Sequence, residues 1–142
     1  MSPTTFGGLI SGTGSVQQIG TGTTILTNNN AYTGATTVSA GALIVNGSIA
    51  ASSGLTVDAG ALVGGVGMLP TTTINGALSP GNSIGTITVA GNLTFGAGSQ
   101  YLVEISPSAA DRTNVAGTAT LAGTVLATFA PGSYITKQYT IL

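Results

Sequence analysis

TTVSAGALIVNG, residues 36 to 47, sets a pattern that the chain keeps rewriting: Thr-Thr-Val, a short turn with Gly, then an apolar patch. Near-copies stand at 55–67 (LTVDAGALVGGVG), 71–81 (TTTINGALSPG), 86–98 (TITVAGNLTFGAG) and 112–124 (RTNVAGTATLAGT). Aligned on Val38, Val57, Ile74, Val89 and Val115, they recur at intervals of 19, 17, 15 and 26 residues. The alternating run at 101–105 (YLVEI) splits the last interval, and Ser15-Val16 and the stretch 24–27 (TILT) read as earlier members. An irregular period of about 20 residues marks a solenoid. One such repeat buries nothing alone; stacked, the repeats share a core.

Composition removes most other classes. Charge is confined to Asp58, Glu104, Asp111, Arg112 and Lys137, with a net of −1. Two cations cannot neutralise a phosphate backbone, so nucleic acid is excluded as a partner. The chain has no His, Cys or Trp, which removes the usual ligands of zinc, haem and iron–sulfur groups, and no cofactor is expected. At 42% hydrophobic residues it is not kept unfolded by polarity. Thr favours strands, Gly and Asn favour turns, and no apolar stripe at helical spacing survives the glycines. The longest apolar runs, such as residues 42–45 (ALIV), fall far short of the roughly 20 residues of a membrane-spanning helix. Turns come too often for barrel strands of about 9–11 residues. The start, MSPTTFGG, lacks the basic and apolar regions of a signal peptide.

The expected fold is all-β: residues 1–142 as one domain, a right-handed parallel β-helix of short coils with a period of roughly 15–20 residues. Two inward ladders follow from the repeat, Val38–Val57–Ile74–Val89–Val115 and Leu43–Leu62–Leu78–Leu93. Each buried member contributes about 1.5–3 kcal/mol. Gly41, Gly60, Gly76, Gly91 and Gly117 sit just after strands, where positive φ is cheap only for Gly. The stretch 106–113, with Pro107 and the adjacent charges of Asp111 and Arg112, lengthens one repeat and is expected to leave the coil as an exposed loop tolerant of insertion.

At this point the sequence resembles a family, the passenger region of bacterial autotransporters, in its C-terminal stretch before the outer-membrane barrel. The resemblance rests on LTNNNAYTGATTVSAGALIVNGSI (26–49), on LSPGNSIGTITVAGNLTFGAGSQYLVEI (78–105), and on DRTNVAGTATLAGT (111–124) with YTIL (139–142). It implies a structural stem that also nucleates passenger folding at the surface of the bacterium. The implied partners are the rest of the passenger and the barrel. The barrel and the export signal are both missing from these residues, so secretion belongs to the parent protein.

Other motifs yield to simpler readings. Residues 81–85 (GNSIG) match G-x-S-x-G, but a nucleophile elbow needs a strand-to-helix turn and a His base, so they read as a turn. Gly20-Thr21-Gly22 and Gly96-Ala97-Gly98 lack the third Gly of a dinucleotide fingerprint. Asp58, Glu104 and Asp111 are too sparse for a calcium β-roll, and Asp111 beside Arg112 reads as a surface ion pair. Asn46-Gly47-Ser48 and Asn92-Leu93-Thr94 match a glycosylation acceptor that such a composition produces by chance. No catalytic, cofactor or metal residue is assigned. Against the stem stands self-association through uncapped terminal coils into end-to-end assemblies. A polysaccharide-acting enzyme would need a groove of carboxylates and aromatics, and only four Tyr and three Phe occur.

Overall fold

The computed structural model describes residues 3–135 and 137–142, and among them there is no helix. The chain opens with β1 (Thr4–Phe6). Two coils of two strands follow, β2 (Val16–Gln18) with β3 (Thr23–Leu26), and β4 (Thr36–Val38) with β5 (Ala42–Val45). The next three coils each hold three strands. They are β6 (Leu55–Val57), β7 (Leu62–Gly65) and β8 (Met68–Leu69); then β9 (Thr72–Ile74), β10 (Ala77–Pro80) and β11 (Thr86–Val89); then β12 (Leu93–Phe95), β13 (Gln100–Ile105) and β14 (Arg112–Val115). The last coil carries β15 (Ala119–Thr120) and β16 (Thr124–Phe129).

All strand pairs are parallel, each strand bonding to its counterpart one coil away. They form three sheets: β1-β3-β5-β7-β10-β13-β16, β2-β4-β6-β9-β12-β15 and β8-β11-β14. The fold is a three-sided parallel β-solenoid, as the repeat spacing implies. The third side begins as single bridges, Asn29 to Ser48 and Ser48 to Met68, and becomes a true sheet only from β8. Strands of the seven-stranded sheet have four residues from β3 to β10 but six in β13 and β16, which pair over all six positions.

The interior is a set of ladders. In the six-stranded sheet, Val38, Val57, Ile74 and Phe95 stack in register and are buried, beside Thr36, Leu55, Thr72 and Leu93. The residues between them point outward and form a row, Thr37, Thr56, Thr73, Thr94 and Thr120. In the seven-stranded sheet the row runs Leu43, Val63, Leu78, Tyr101.

Both expected ladders therefore need correction. Val38, Val57 and Ile74 do stack, but Val89 and Val115 belong to the third sheet, where their column starts at Leu69. Leu62 points outward between Ala42 and Ala77, and its place in the Leu43–Leu78 row goes to Val63. Leu93 sits in the six-stranded sheet. The glycines divide likewise. Gly41 and Gly60 have positive φ, at 64° and 84°, but Gly76, Gly91 and Gly117 do not. Those three are Gly because the coil beneath comes too close for a Cβ: the Ala61 carbonyl, the Thr71 side chain and the Asn92 carboxamide occupy that space.

Gly67 obeys the same rule, and its Cβ would fall on the Gly47 carbonyl oxygen. Gly67→Ala should therefore force two coils apart and lower stability by about 2 kcal/mol or more, measured by the denaturation midpoint. Gly98→Ala, with nothing near its Cβ position, serves as the neutral control.

Candidate functional site

Every buried side-chain nitrogen and oxygen has a hydrogen-bond partner among the described residues. Tyr32 is buried and its phenol pairs with Thr36 Oγ1 at 2.7 Å, which meets Ser52 Oγ at 2.8 Å. Tyr101 repeats the device near the C-terminal end, meeting Thr113 Oγ1 at 2.8 Å and donating to the Ile141 carbonyl. Burial pushes both phenols above their usual range, and the threonine hydrogen bonds offset part of that. Both phenols therefore stay protonated at neutral pH.

The acidic residues land differently from the sequence reading. Asp111 is buried, 1% exposed, and is not half of a surface ion pair. Its Oδ1 accepts the Gly85 N–H at 2.8 Å and its Oδ2 accepts the Glu104 N–H at 2.7 Å. It thus staples the GNSIG turn and β13 to the start of β14. The stretch 106–113 is only partly the exposed loop expected. Ser108 and Ala109 form an exposed tip, but Asp111 and Thr113 are buried. The chain beyond β16 also covers it, because the Tyr139 phenol donates to the Ser106 carbonyl at 2.9 Å. Glu104 faces outward beside Ser83 and Asn82 in a cleft of about 270 Å³. Asp58 sits apart, in the corner between β6 and β7. No three of these residue types gather into a metal-holding group among the described residues. The GNSIG stretch is a turn between β10 and β11, as its lack of a helix and a His base implies.

The most distinctive surface is the C-terminal end of the stack. Every residue of β16 is exposed, and its inward-pointing row continues the core ladders, with Val125 54% and Phe129 61% exposed and the Phe129 ring packed edge-on against Tyr134. Leu121, 65% exposed, lies with Val125 at this end. The end is not bare, as the sequence suggested. Residues 139–142 return to the edge of the third sheet, where the Thr113 N–H donates to the Ile141 carbonyl at 3.0 Å. Ile141 and Leu142 close over an apolar cavity of about 150 Å³ lined by Phe95, Tyr101, Leu121 and Val125. This covering was invisible in the sequence, because YTIL carries no signal beyond that of one more strand.

These features define the class, a parallel β-solenoid built from short, nearly uncharged repeats. Comparison with known proteins agrees with it. Residues 16–45 match the model of the passenger-associated-transport-repeat family. The adhesin BmaC autotransporter of Brucella suis biovar 1 (strain 1330) is 60% identical over 42 residues, which is 30% of this chain and 1% of that protein. An extracellular serine protease of Serratia marcescens is 35% identical over 97 residues, 68% of this chain and 9% of the protease. The chain thus spans less than a tenth of the length of either relative. Residues 16–45 thus match a passenger-associated-transport repeat, and the chain is similar to part of an autotransporter adhesin and of an extracellular protease.

Proposed function

We propose that this segment is a structural stem and folding nucleus of an autotransporter-like surface adhesin, with residues 1–142 acting as one folding unit. The observation that carries the reading is the continuous parallel stack, in which each strand of the seven-stranded sheet pairs with the next from β3 to β16. Such a stack adds coils one at a time against an existing edge, so a stable segment templates its neighbours. Its partners on this reading are the rest of the passenger and the outer-membrane barrel, and its place is the cell surface. The segment itself performs no catalysis on this reading. The Serratia relative is named a serine protease, but this chain holds no His from which to build a serine–histidine pair.

The test is an autotransporter polypeptide carrying this segment with Ile74→Asp, a change at a fully buried ladder position. Passenger sequence on the N-terminal side should then lose its protease-resistant fold although it is unaltered. Normal resistance upstream would reject the nucleus role.

A second reading, self-association, is favoured by the exposed Val125 and Phe129 row. Unpaired strand edges recruit other chains, and a head-to-tail contact that does not close grows into a filament. Light scattering across a concentration series separates the two. A constant monomer mass supports the stem; growth that Phe129→Asp abolishes supports assembly.

A further inference from the structure

Two corners of the solenoid place Asn before Gly, at Asn46-Gly47 and Asn75-Gly76. This pair cyclises readily in flexible chains, because Gly leaves its own nitrogen free to attack the Asn side chain. The Gly nitrogen bonds to Cγ, the Cγ–Nδ2 bond breaks and ammonia leaves. Water then opens the imide to Asp or to isoaspartate, which carries an extra methylene in the backbone.

In the fold the two reacting groups are pulled in opposite directions along the stack. The Gly47 N–H points back one coil, donating to the Leu26 carbonyl at 3.2 Å, while the Asn46 carboxamide reaches forward to accept the Val66 N–H at 3.4 Å. The second corner repeats this. The Gly76 N–H donates back to the Val57 carbonyl at 3.2 Å, and Asn75 Oδ1 lies forward over Gly96, 2.7 Å from where a Cβ would stand. Neither glycine is replaceable, because a Cβ would fall on the Asn28 carbonyl at Gly47 and on the Ala61 carbonyl at Gly76. The coil geometry therefore demands the reactive pair and also disarms it. Asn82-Ser83, in the GNSIG turn, is the reverse case. Both residues are exposed, the Asn82 carboxamide is tied through its Nδ2, which donates to Asn46 Oδ1 at 3.1 Å, and among the described residues the Ser83 N–H donates to no acceptor, so its nitrogen is not drawn away from the Asn82 side chain.

We propose that Asn46 and Asn75 are deamidation sites of the unfolded chain that coil stacking closes, and that Asn82 is the site left open in the folded protein. A molecule that lingers unfolded acquires isoaspartate at two corners where successive coils must touch. The added methylene and charge then oppose stacking.

The experiment incubates the whole chain at mildly alkaline pH, with synthetic peptides spanning 40–53, 70–81 and 79–88 as fold-free references, and follows the one-dalton mass gain at each Asn by peptide mapping. In the peptides, Asn46 and Asn75 should react faster than Asn82. In the folded chain both should slow by about tenfold or more, because reaction waits on local opening, and Asn82 should lead. Equal rates at Asn46 and Asn75 in peptide and folded chain, or either of them leading Asn82 in the folded chain, would overturn the proposal.

Discussion

Val57→Asp is expected to unfold the stack under conditions where Thr56→Asp leaves it intact. Val57 is fully buried in the row between Val38 and Ile74, while Thr56 stands on the outer face between Thr37 and Thr73. A carboxylate at 57 would have apolar neighbours above and below and no partner, so it must either pay the desolvation of a buried charge or take up a proton. The loss should be about 4 kcal/mol or more, a large part of the 5–15 kcal/mol that a domain possesses. At position 56 the change should stay within about 1 kcal/mol. Denaturant midpoints of the two variants make the measurement. Equal midpoints would mean that the inward and outward faces have been exchanged by one residue.

Asp111→Ala comes second in size. It removes the acceptor of the Gly85 and Glu104 N–H groups at once, and each hydrogen bond left unmade at a partly buried donor costs about 1–3 kcal/mol. A loss of about 2–4 kcal/mol is expected. Asp111→Asn should recover little of it, because a carboxamide offers one oxygen and turns an NH₂ toward the other N–H. Arg112→Ala, at an exposed side chain, should change stability by no more than about 0.5 kcal/mol. Wild-type stability in Asp111→Asn would show that the carboxylate does not hold both segments. An Arg112→Ala loss as large as that of Asp111→Ala would restore the ion pair read from the sequence.

The repeat TTVSAG made the architecture readable because Thr-x-Val alternation and a closing Gly are local features. Which side of the coil a given copy occupies is not local. Residues 72–74 (TTI) and 86–89 (TITV) look alike, yet the first lies in the six-stranded sheet and the second in the three-stranded one. Both sides are half-buried parallel strands and impose the same pattern, so alignment on sequence alone merged two columns. Leu62 was ambiguous for a different reason. Ala61, Leu62 and Val63 are all apolar, and only pairing with Leu43 decides that Val63 goes inward. Asp111 could not be placed, since the amide groups it holds lie at Gly85 and Glu104 and adjacency to Arg112 said nothing of them. The expected absence of a catalytic or metal centre rested on composition alone.

The lengthening of β13 and β16 from four residues to six gives the stack a gauge. At its last two layers the seven-stranded side is two residues wider than at the layers beneath. A four-residue layer laid on β16 would leave part of that strand, Phe129 or Val125 among its inward residues, facing water. Only a strand of matching length pairs with β16 over all six positions, as β13 does from beneath, so the step in width is also a step in what can stack there.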